Sequence, residues 1–138
     1  MNRTVELTRV YHFSAAHQLS NPTLSPRDNA DLYGPCARPH GHNYYLEVTV
    51  AGVPDETTGF AVDLMALDRA VTDRLLAQVD HHRLEEAPAL AGVITTGEGL
   101  ARAFWRTLTA ALPAGQLRRV VVHETAKNQF EYRGGEAA

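Results

Sequence analysis

Two histidines separated by a single residue are the first feature of this 138-residue chain that could do chemistry. His40 and His42, with Gly41 between them, open a run of alternating apolar and polar residues that predicts a β-strand. Because residues i and i+2 of a strand lie on one face, the two imidazoles project together. That arrangement suits two ligands of one metal ion, although His40 and His42 alone are equally compatible with surface or turn histidines.

A third ligand must come from another element, and His17 is the candidate. It directly follows a stretch rich in β-branched and aromatic residues, Thr4 to Ala16, which predicts a first strand. If that strand lies beside the one that begins at His40, the three imidazoles can meet. Three neutral imidazoles leave the fourth position of Zn²⁺ open, which indicates a catalytic rather than a structural zinc site. For His12, His82 and His123 we expect structural or exposed positions.

The only cysteine, Cys36, lies four residues before His40. It could be a fourth zinc ligand, a buried inert thiol, or a catalytic base just outside the metal shell, and the spacing does not select among them. Nearby metal or positive charge favours the reactive thiolate, and Pro35, Arg38 and Pro39 predict a stiff, partly cationic loop. A single cysteine cannot form an intrachain disulfide, so we expect a cytoplasmic protein.

Two further positions carry acid–base side chains. Asp80 and His81 end a predicted helix, where a carboxylate could orient an imidazole for proton transfer. Adjacent side chains of a helix point in different directions, so ordinary helix-end residues are the simpler interpretation of this pair. Glu124 follows a very apolar strand and could accept two hydrogen bonds from a planar amino-heterocycle, although a solvated strand end explains it equally simply.

The elements that must position these side chains alternate between periods of two and 3.6 residues. A strand over Thr4 to Ala16 is followed by a long loop, Leu19 to Pro39, with a helical turn near residues 29–32. The remaining predicted elements are a strand His40 to Ala51, a short hairpin strand Phe60 to Val62, a helix capped by Asp63 that ends near residues 80–82, a helix begun by a Thr95–Glu98 capping box, a strand Val120 to Val122, and a strand Gln129 to Tyr132. This order predicts an α+β fold, an antiparallel sheet with helices on one face.

Length and charge limit the classes of function. One domain spanning residues 1–138 is expected, since the chain is too short for two substantial cores. A net charge of -3 gives no general attraction to nucleic acid or to an anionic membrane surface. No apolar run approaches the roughly 20 residues that span a bilayer, and the N-terminus lacks the apolar centre of a secretory signal.

Five short motifs, in order, resemble those of the 6-pyruvoyl-tetrahydropterin and 6-carboxytetrahydropterin synthase family. They extend from Phe13 to Thr125, and the similarity in order and spacing continues to Tyr132. The motifs are Phe13-Ser14-Ala15-Ala16-His17, Cys36-x3-His40-Gly41-His42-Asn43-Tyr44, Asp80-His81-x-x-Leu84, Thr96-Gly97-Glu98 and Glu124-Thr125. The first two are the most specific.

The resemblance implies a tunnelling fold, in which an antiparallel four-stranded sheet carries two helices on one face in the order ββααββ. Subunits of this family assemble through their sheets into barrels, so a trimer or hexamer with active sites between subunits is expected. The implied substrate is a small molecule, 7,8-dihydroneopterin triphosphate, and the implied cofactor is Zn²⁺.

Carried over by position, the resemblance assigns a role to each candidate residue. His17, His40 and His42 bind zinc, and Cys36 accepts a proton. Asp80 and His81 form the relay that keeps the thiolate available, from a neighbouring subunit. Glu124 anchors the pterin ring, and Thr96 and Glu98 also contact the substrate, although helix capping is the simpler role for Glu98.

The expected activity is that of a lyase making 6-carboxy-5,6,7,8-tetrahydropterin, acetaldehyde and triphosphate for queuosine-type biosynthesis. Three residues separate Cys36 from His40, as in the bacterial queuosine-pathway branch, whereas animal pyruvoyl enzymes tend to have five. The long loop between Leu24 and Gly34 instead resembles the pyruvoyl branch. The alternatives are therefore 6-pyruvoyl-tetrahydropterin synthase, or a zinc-dependent pterin-binding protein without catalysis.

Overall fold

A four-stranded antiparallel sheet forms the centre of the computed structural model, which describes residues 3–135. Its strands are β1 (Val5–His17), β2 (His40–Gly52), β3 (Leu117–Thr125) and β4 (Asn128–Tyr132), and they lie in the order β1-β2-β3-β4. Neighbours in the sheet thus follow one another in the chain, and all three pairings are antiparallel. The predicted sheet is confirmed.

Two helical segments separate β2 from β3, which confirms the predicted ββααββ order. The first is α2 (Leu64–Val71), continued by a π-helical turn (Thr72–Leu76) and by α3 (Ala77–Val79). The second is α4 (Gly97–Ala111). The long loop after β1 contains α1 (Pro26–Tyr33), longer than the single turn predicted, and 3-10 turns cover Gly34–Ala37, Leu84–Glu86 and Pro88–Leu90.

The core lies between one face of the sheet and these helices. On β2 the alternating side chains are fully buried, as predicted: Tyr44, Leu46, Val48 and Val50. The helices bury residues at helical spacing against them: Leu67, Val71, Leu75, Val79, Leu100, Phe104 and Leu108. Burial of this continuous apolar layer is the main stabilising contribution.

Two local predictions are wrong. Phe60 to Val62 do not form a strand; the backbone closes instead through a hydrogen bond from the Asp55 amide to the Phe60 carbonyl, 2.9 Å long. The Asp55 carboxylate accepts two further backbone amides in the same turn. The Ala61 carbonyl oxygen then lies directly against Gly52, where it leaves no room for a Cβ atom, so the segment packs on β2 without pairing with it.

The second error concerns the start of α4. Thr96, not Thr95, is the cap: its hydroxyl accepts the Gly99 amide at 3.1 Å. Glu98 is therefore one position too early to close a capping box, and its side chain is exposed. By contrast, Asp63 caps α2 as predicted, accepting the Ala66 amide at 3.1 Å.

The chain after α3 runs along the outer edge of β1 and covers part of it. The His81 amide donates to the Ser14 carbonyl at 2.6 Å, and the Ala16 amide donates to the His82 carbonyl at 3.1 Å. The Asp80 carboxylate accepts the Ser14 amide at 3.0 Å. These bonds attach the Asp80–His82 segment to the strand that ends at His17. Within residues 3–135, none of the helices has the length and apolar composition that crossing a bilayer requires.

Leu108→Ala tests the assignment of the core. Leu108 is fully buried beneath the sheet, so its truncation should lower the free energy of unfolding by roughly 2–5 kcal/mol in urea denaturation. Leu32, which is 63% exposed on α1, supplies the matched control, and Leu32→Ala should change stability by no more than about 0.5 kcal/mol. Equal losses in the two variants would contradict the described packing.

Candidate metal centre and surrounding site

The antiparallel register of β1 and β2 brings three histidines together. His17 is the direct partner of His40, and Ala15 is the partner of His42. One ring nitrogen from each of the three histidines lies within 4.8 Å of the others, so the group could hold a metal ion. The rings of His17 and His40 are 4.4 Å apart between centroids, and those of His40 and His42 are 4.9 Å apart. The structure thus brings together all three predicted ligands.

Backbone carbonyls orient two of these rings. Nδ1 of His17 lies 2.9 Å from the Thr95 carbonyl, and Nδ1 of His40 lies 2.8 Å from the Arg38 carbonyl. Because a carbonyl only accepts, each Nδ1 carries the hydrogen and each Nε2 keeps its lone pair. His42 has a buried Nε2 without a hydrogen-bond partner among the described residues. Oriented imidazoles with free ring nitrogens are what a metal centre requires, so these residues fit a bound ion.

Burial keeps His17 and His42 neutral. It lowers the pKa of His17 to about 4, and the hydrogen bond to the Thr95 carbonyl only partly opposes this effect. Burial likewise lowers the pKa of His42, while the Glu124 carboxylate acts in the opposite direction. Both rings are therefore unprotonated near neutral pH, the form in which imidazole binds a metal.

Cys36 lies in the 3-10 turn immediately before β2, with an exposed, free thiol. Exposure contradicts the buried-thiol interpretation. The three-histidine cluster, as found among the described residues, does not include its sulfur. The Leu19 amide donates to the Cys36 carbonyl at 2.9 Å, so the segment after His17 ties the turn back to β1. The thiol is accessible to a ligand and its backbone is fixed.

Asp80 and His81 are bonded to each other. The Asp80 carboxylate lies 2.9 Å from Nδ1 of His81, although neighbouring helix residues were expected to diverge. The reason is that α3 ends at Val79 and His81 adopts a left-handed backbone with φ 61°. The Ser14 amide, followed by His81, holds the pKa of the Asp80 carboxyl below its usual range. Asp80 is thus an anion that orients the His81 ring, which remains open to solvent.

This pair and the thiol do not meet within the described chain. No hydrogen bond or ion pair between residues 3 and 135 joins Cys36 to Asp80 or His81. Asp80 and His81 lie on the outer edge of β1, whereas Cys36 leads into β2 on the other side of that strand. Within residues 3–135 the two groups are therefore not joined by a hydrogen bond or an ion pair.

Glu124 lies on β3 where the register to β4 shifts between His123 and Thr125, so it is the extra residue of a β-bulge. Its half-buried carboxylate acts electrostatically on both His42 and Tyr44. It therefore lies in the surroundings of the histidine cluster rather than at a remote strand end.

The two residues at the start of α4 lie in different surroundings. Thr96 uses its hydroxyl as the helix cap, and the carbonyl before it, that of Thr95, holds His17. Glu98 lines a cavity between α4 and β4, together with Phe130 and Tyr132. The start of α4 is therefore connected directly to a metal ligand.

Tyr44 is a residue beside the cluster to which analysis of the sequence assigned no role, although it ends the second motif. Its side chain is fully buried, and its hydroxyl lies 3.3 Å from Nε2 of His17. The signal was present: Tyr44 follows His42 by two residues, so a strand places both on the same face.

The sheet, the helices and the histidine cluster define an α+β protein with a site that could hold a metal ion, an exposed thiol, and a carboxylate near the histidines. The chain belongs to the 6-pyruvoyl tetrahydropterin synthase family, whose model matches residues 6–135. It is therefore an enzyme, a lyase of one of the two predicted synthase types, and both the family and the fold predictions are confirmed.

Individual relatives agree with the family assignment. The chain is 40% identical over 131 residues to 6-pyruvoyl tetrahydrobiopterin synthase of Poecilia reticulata, covering 93% of this chain and 89% of the relative. A solved structure of Caenorhabditis elegans 6-pyruvoyl tetrahydropterin synthase superposes with a TM-score of 0.90 at 33% identity, covering 98% of this chain and 100% of that one. The 6-carboxy-5,6,7,8-tetrahydropterin synthase of Bacillus subtilis is 39% identical over 66 residues, 48% of this chain and 39% of the relative.

His42→Ala tests the metal centre. Losing one of three imidazoles should reduce bound transition metal from near one equivalent per chain to a small fraction, measured by elemental analysis after dialysis. His12→Ala is the matched control, since His12 is exposed and its ring contacts that of Tyr45, at a tilted angle, rather than the cluster. Unchanged metal content in His42→Ala would contradict the three-histidine site.

Proposed function

We propose that this enzyme converts 7,8-dihydroneopterin triphosphate into 6-pyruvoyl-5,6,7,8-tetrahydropterin, with release of triphosphate. The observation that carries the proposal is the cluster of buried His17 with half-buried His40 and His42, in a chain similar along 93% of its length to a named 6-pyruvoyl tetrahydrobiopterin synthase. The exposed thiol of Cys36 supports the enzyme over a pure pterin-binding protein, because binding alone does not require a base.

The extent of the similarity favours the pyruvoyl product over the carboxy product. The relatives with pyruvoyl names match across nearly the whole chain, whereas the carboxytetrahydropterin synthase matches less than half of it. The three-residue spacing between Cys36 and His40 pointed to the carboxy branch and to queuosine biosynthesis. That spacing is one local feature, and the similarity of the whole chain has the greater weight.

We further propose that the ion is Zn²⁺, held by His17, His40 and His42. Zinc commonly binds three imidazole ligands and leaves its fourth coordination position open for substrate. Bound there, zinc would supply Lewis-acid polarisation of the hydroxyl groups of the substrate side chain. The protein's own contribution is to hold the three rings in one orientation through the Thr95 and Arg38 carbonyls.

Protons must then leave carbon, because the side chain ends as a diketone when triphosphate departs. We assign Cys36 as the proton acceptor, since its thiol is exposed and lies four residues before the ligand His40. Fixation of the Cys36 backbone by the Leu19 amide limits how far the thiol can move from the metal centre.

The Asp80–His81 pair is proposed as the relay that keeps the thiol of Cys36 deprotonated. Within one chain the pair lies beyond the outer edge of β1, apart from Cys36, so a neighbouring subunit would supply it. This supports a homo-oligomer, a trimer or hexamer, with active sites between subunits.

Glu124, Thr96 and Glu98 are proposed to bind the pterin ring. A carboxylate can accept two parallel hydrogen bonds from the amino and ring N–H groups of a pterin, and Glu124 lies close enough to the cluster to affect His42. Thr96 and Glu98 lie at the start of α4, and the carbonyl of the preceding residue, Thr95, accepts a hydrogen bond from His17. Ring binding and metal binding would therefore share one rigid support.

Product analysis tests the reaction. Zinc-loaded protein incubated with 7,8-dihydroneopterin triphosphate should yield 6-pyruvoyltetrahydropterin and triphosphate, identified by mass spectrometry, without acetaldehyde. Carboxytetrahydropterin with acetaldehyde would instead establish the carboxy reaction. Unchanged substrate in the presence of metal-replete protein would overturn both and favour a pterin-binding protein.

Cys36→Ala should lower turnover by two to four orders of magnitude while zinc content stays near wild type, because a general base is removed and the ligands are not. Steady-state kinetics and elemental analysis on the same preparation give both values. Loss of zinc together with activity would show that Cys36 is a ligand rather than a base.

Mixing two inactive variants tests whether the thiol and the relay of one active site come from different subunits. If thiol and relay come from different subunits, co-refolded Cys36→Ala and His81→Ala chains form some sites with both groups intact. Turnover of the mixture should then exceed that of either variant alone. A mixture as inactive as its components would place both groups in one subunit.

A further inference from the structure

The backbone leaves the sheet directly after the metal ligand His17. β1 ends at this residue, which pairs with His40, the first residue of β2. Gln18 therefore lies beyond the register that joins the two strands. Its amide donates instead to the carboxylate of Glu85, at 2.6 Å. A side chain from a distant part of the sequence thus holds the first amide after the ligand.

Glu85 belongs to the segment that runs along the outer edge of β1, residues 80–85. Ser14, Ala16 and Gln18 are alternate residues on this edge, and each forms a hydrogen bond with that segment. Ala16 also forms a parallel bridge with it. The last of these contacts uses a side-chain carboxylate where a strand would use a backbone carbonyl. Glu85 therefore extends the paired edge beyond the end of β1.

Two successive amides hold the chain as it leaves His17. The first is that of Gln18, and the second is that of Leu19, which donates to the Cys36 carbonyl at 2.9 Å. They tie the chain to the edge segment and to the turn that carries the thiol. Because strand ends open more readily than strand centres, the bond to Glu85 limits how far His17 can move from the other two ligands.

Separate anchors hold the ring and the backbone of His17. The Thr95 carbonyl orients the ring through Nδ1, at 2.9 Å, whereas Glu85 fixes the backbone that follows. Glu85 is itself well supported, because the preceding residue, Leu84, is fully buried and begins the 3-10 turn Leu84–Glu86. The side chain of Glu85 is exposed, so it makes no contribution to the core.

We propose that Glu85 is a positioning residue of the metal centre, whose carboxylate accepts the Gln18 amide and so fixes the backbone that holds His17 towards the ion. The proposal rests on the proposed metal site but not on the proposed reaction. The carboxylate also acts electrostatically on Tyr44, beside the cluster. A test must therefore separate the hydrogen bond from the charge.

Zinc affinity supplies that test, in titrations of metal-free protein against a competing chelator. Partners bonded directly to a ligand change metal affinity by roughly 10–100-fold, and Glu85 acts one residue further away. We expect Glu85→Ala to weaken Zn²⁺ binding about five- to ten-fold, with a melting temperature near wild type. Glu85→Gln should bind within about two-fold of wild type, since its amide oxygen can accept the same hydrogen bond.

Glu86→Ala is the matched control. Glu86 is an exposed carboxylate in the same turn, and its side chain forms no hydrogen bond or ion pair among residues 3–135, so its loss should leave zinc affinity unchanged. Equal weakening in Glu86→Ala or in Glu85→Gln would assign the effect to charge and overturn the proposal. A lower melting temperature in Glu85→Ala with wild-type zinc affinity would assign a merely structural role, and would overturn it as well.

Amide hydrogen exchange in metal-free protein separates this proposal from the metal site. Exchange of the Gln18 amide should be at least ten-fold faster in Glu85→Ala and near wild type in Glu85→Gln. The Ala16 amide, bonded to the His82 carbonyl, should stay protected in both. Unchanged exchange at Gln18 would contradict the proposed hold on the backbone. If wild type showed this pattern but took up no zinc, the metal site would fail while the hold of Glu85 on the backbone after His17 was supported.

Discussion

The register between β1 and β2 is the constraint on which the rest of the site depends. Because His17 faces His40 across the strand pair, a shift of one residue would turn His17 to the opposite face of the sheet from His40 and His42. The register is held by the buried faces of the same strands, where Phe13 stacks on Tyr44. The core that stabilises the sheet therefore also sets the geometry of the metal centre.

The site combines groups that stay neutral with groups that stay charged. Burial keeps the rings of His17 and His42 unprotonated and keeps the proton on Tyr44, whereas the Ser14 amide keeps Asp80 ionised. In each case the backbone or the core determines the protonation state.

Strand periodicity and motif spacing were sufficient to predict the clustering of His17, His40 and His42 and the order of the elements. The alternation after His40 predicted a buried face that is present at Tyr44, Leu46 and the valines beyond. Contacts that depend on backbone dihedral angles were not predictable in this way. The left-handed backbone of His81 places its ring against Asp80, and a one-residue difference in the helix start makes Thr96 the cap instead of Thr95. Spacing carries no information about either, because both arise from tertiary contacts.

The attachment of residues 80–82 to β1 has a consequence for how subunits can join. At Ser14 and Ala16 the backbone groups on the outer side of β1 already form hydrogen bonds with residues 80–82. Towards Val5, residues 80–82 do not cover this edge. A strand from another copy that pairs with this edge must therefore end before Ser14. The Asp80–His81 pair acts as a physical stop, so the position of a docked neighbour along β1 would be determined by the same residues proposed to complete its active site.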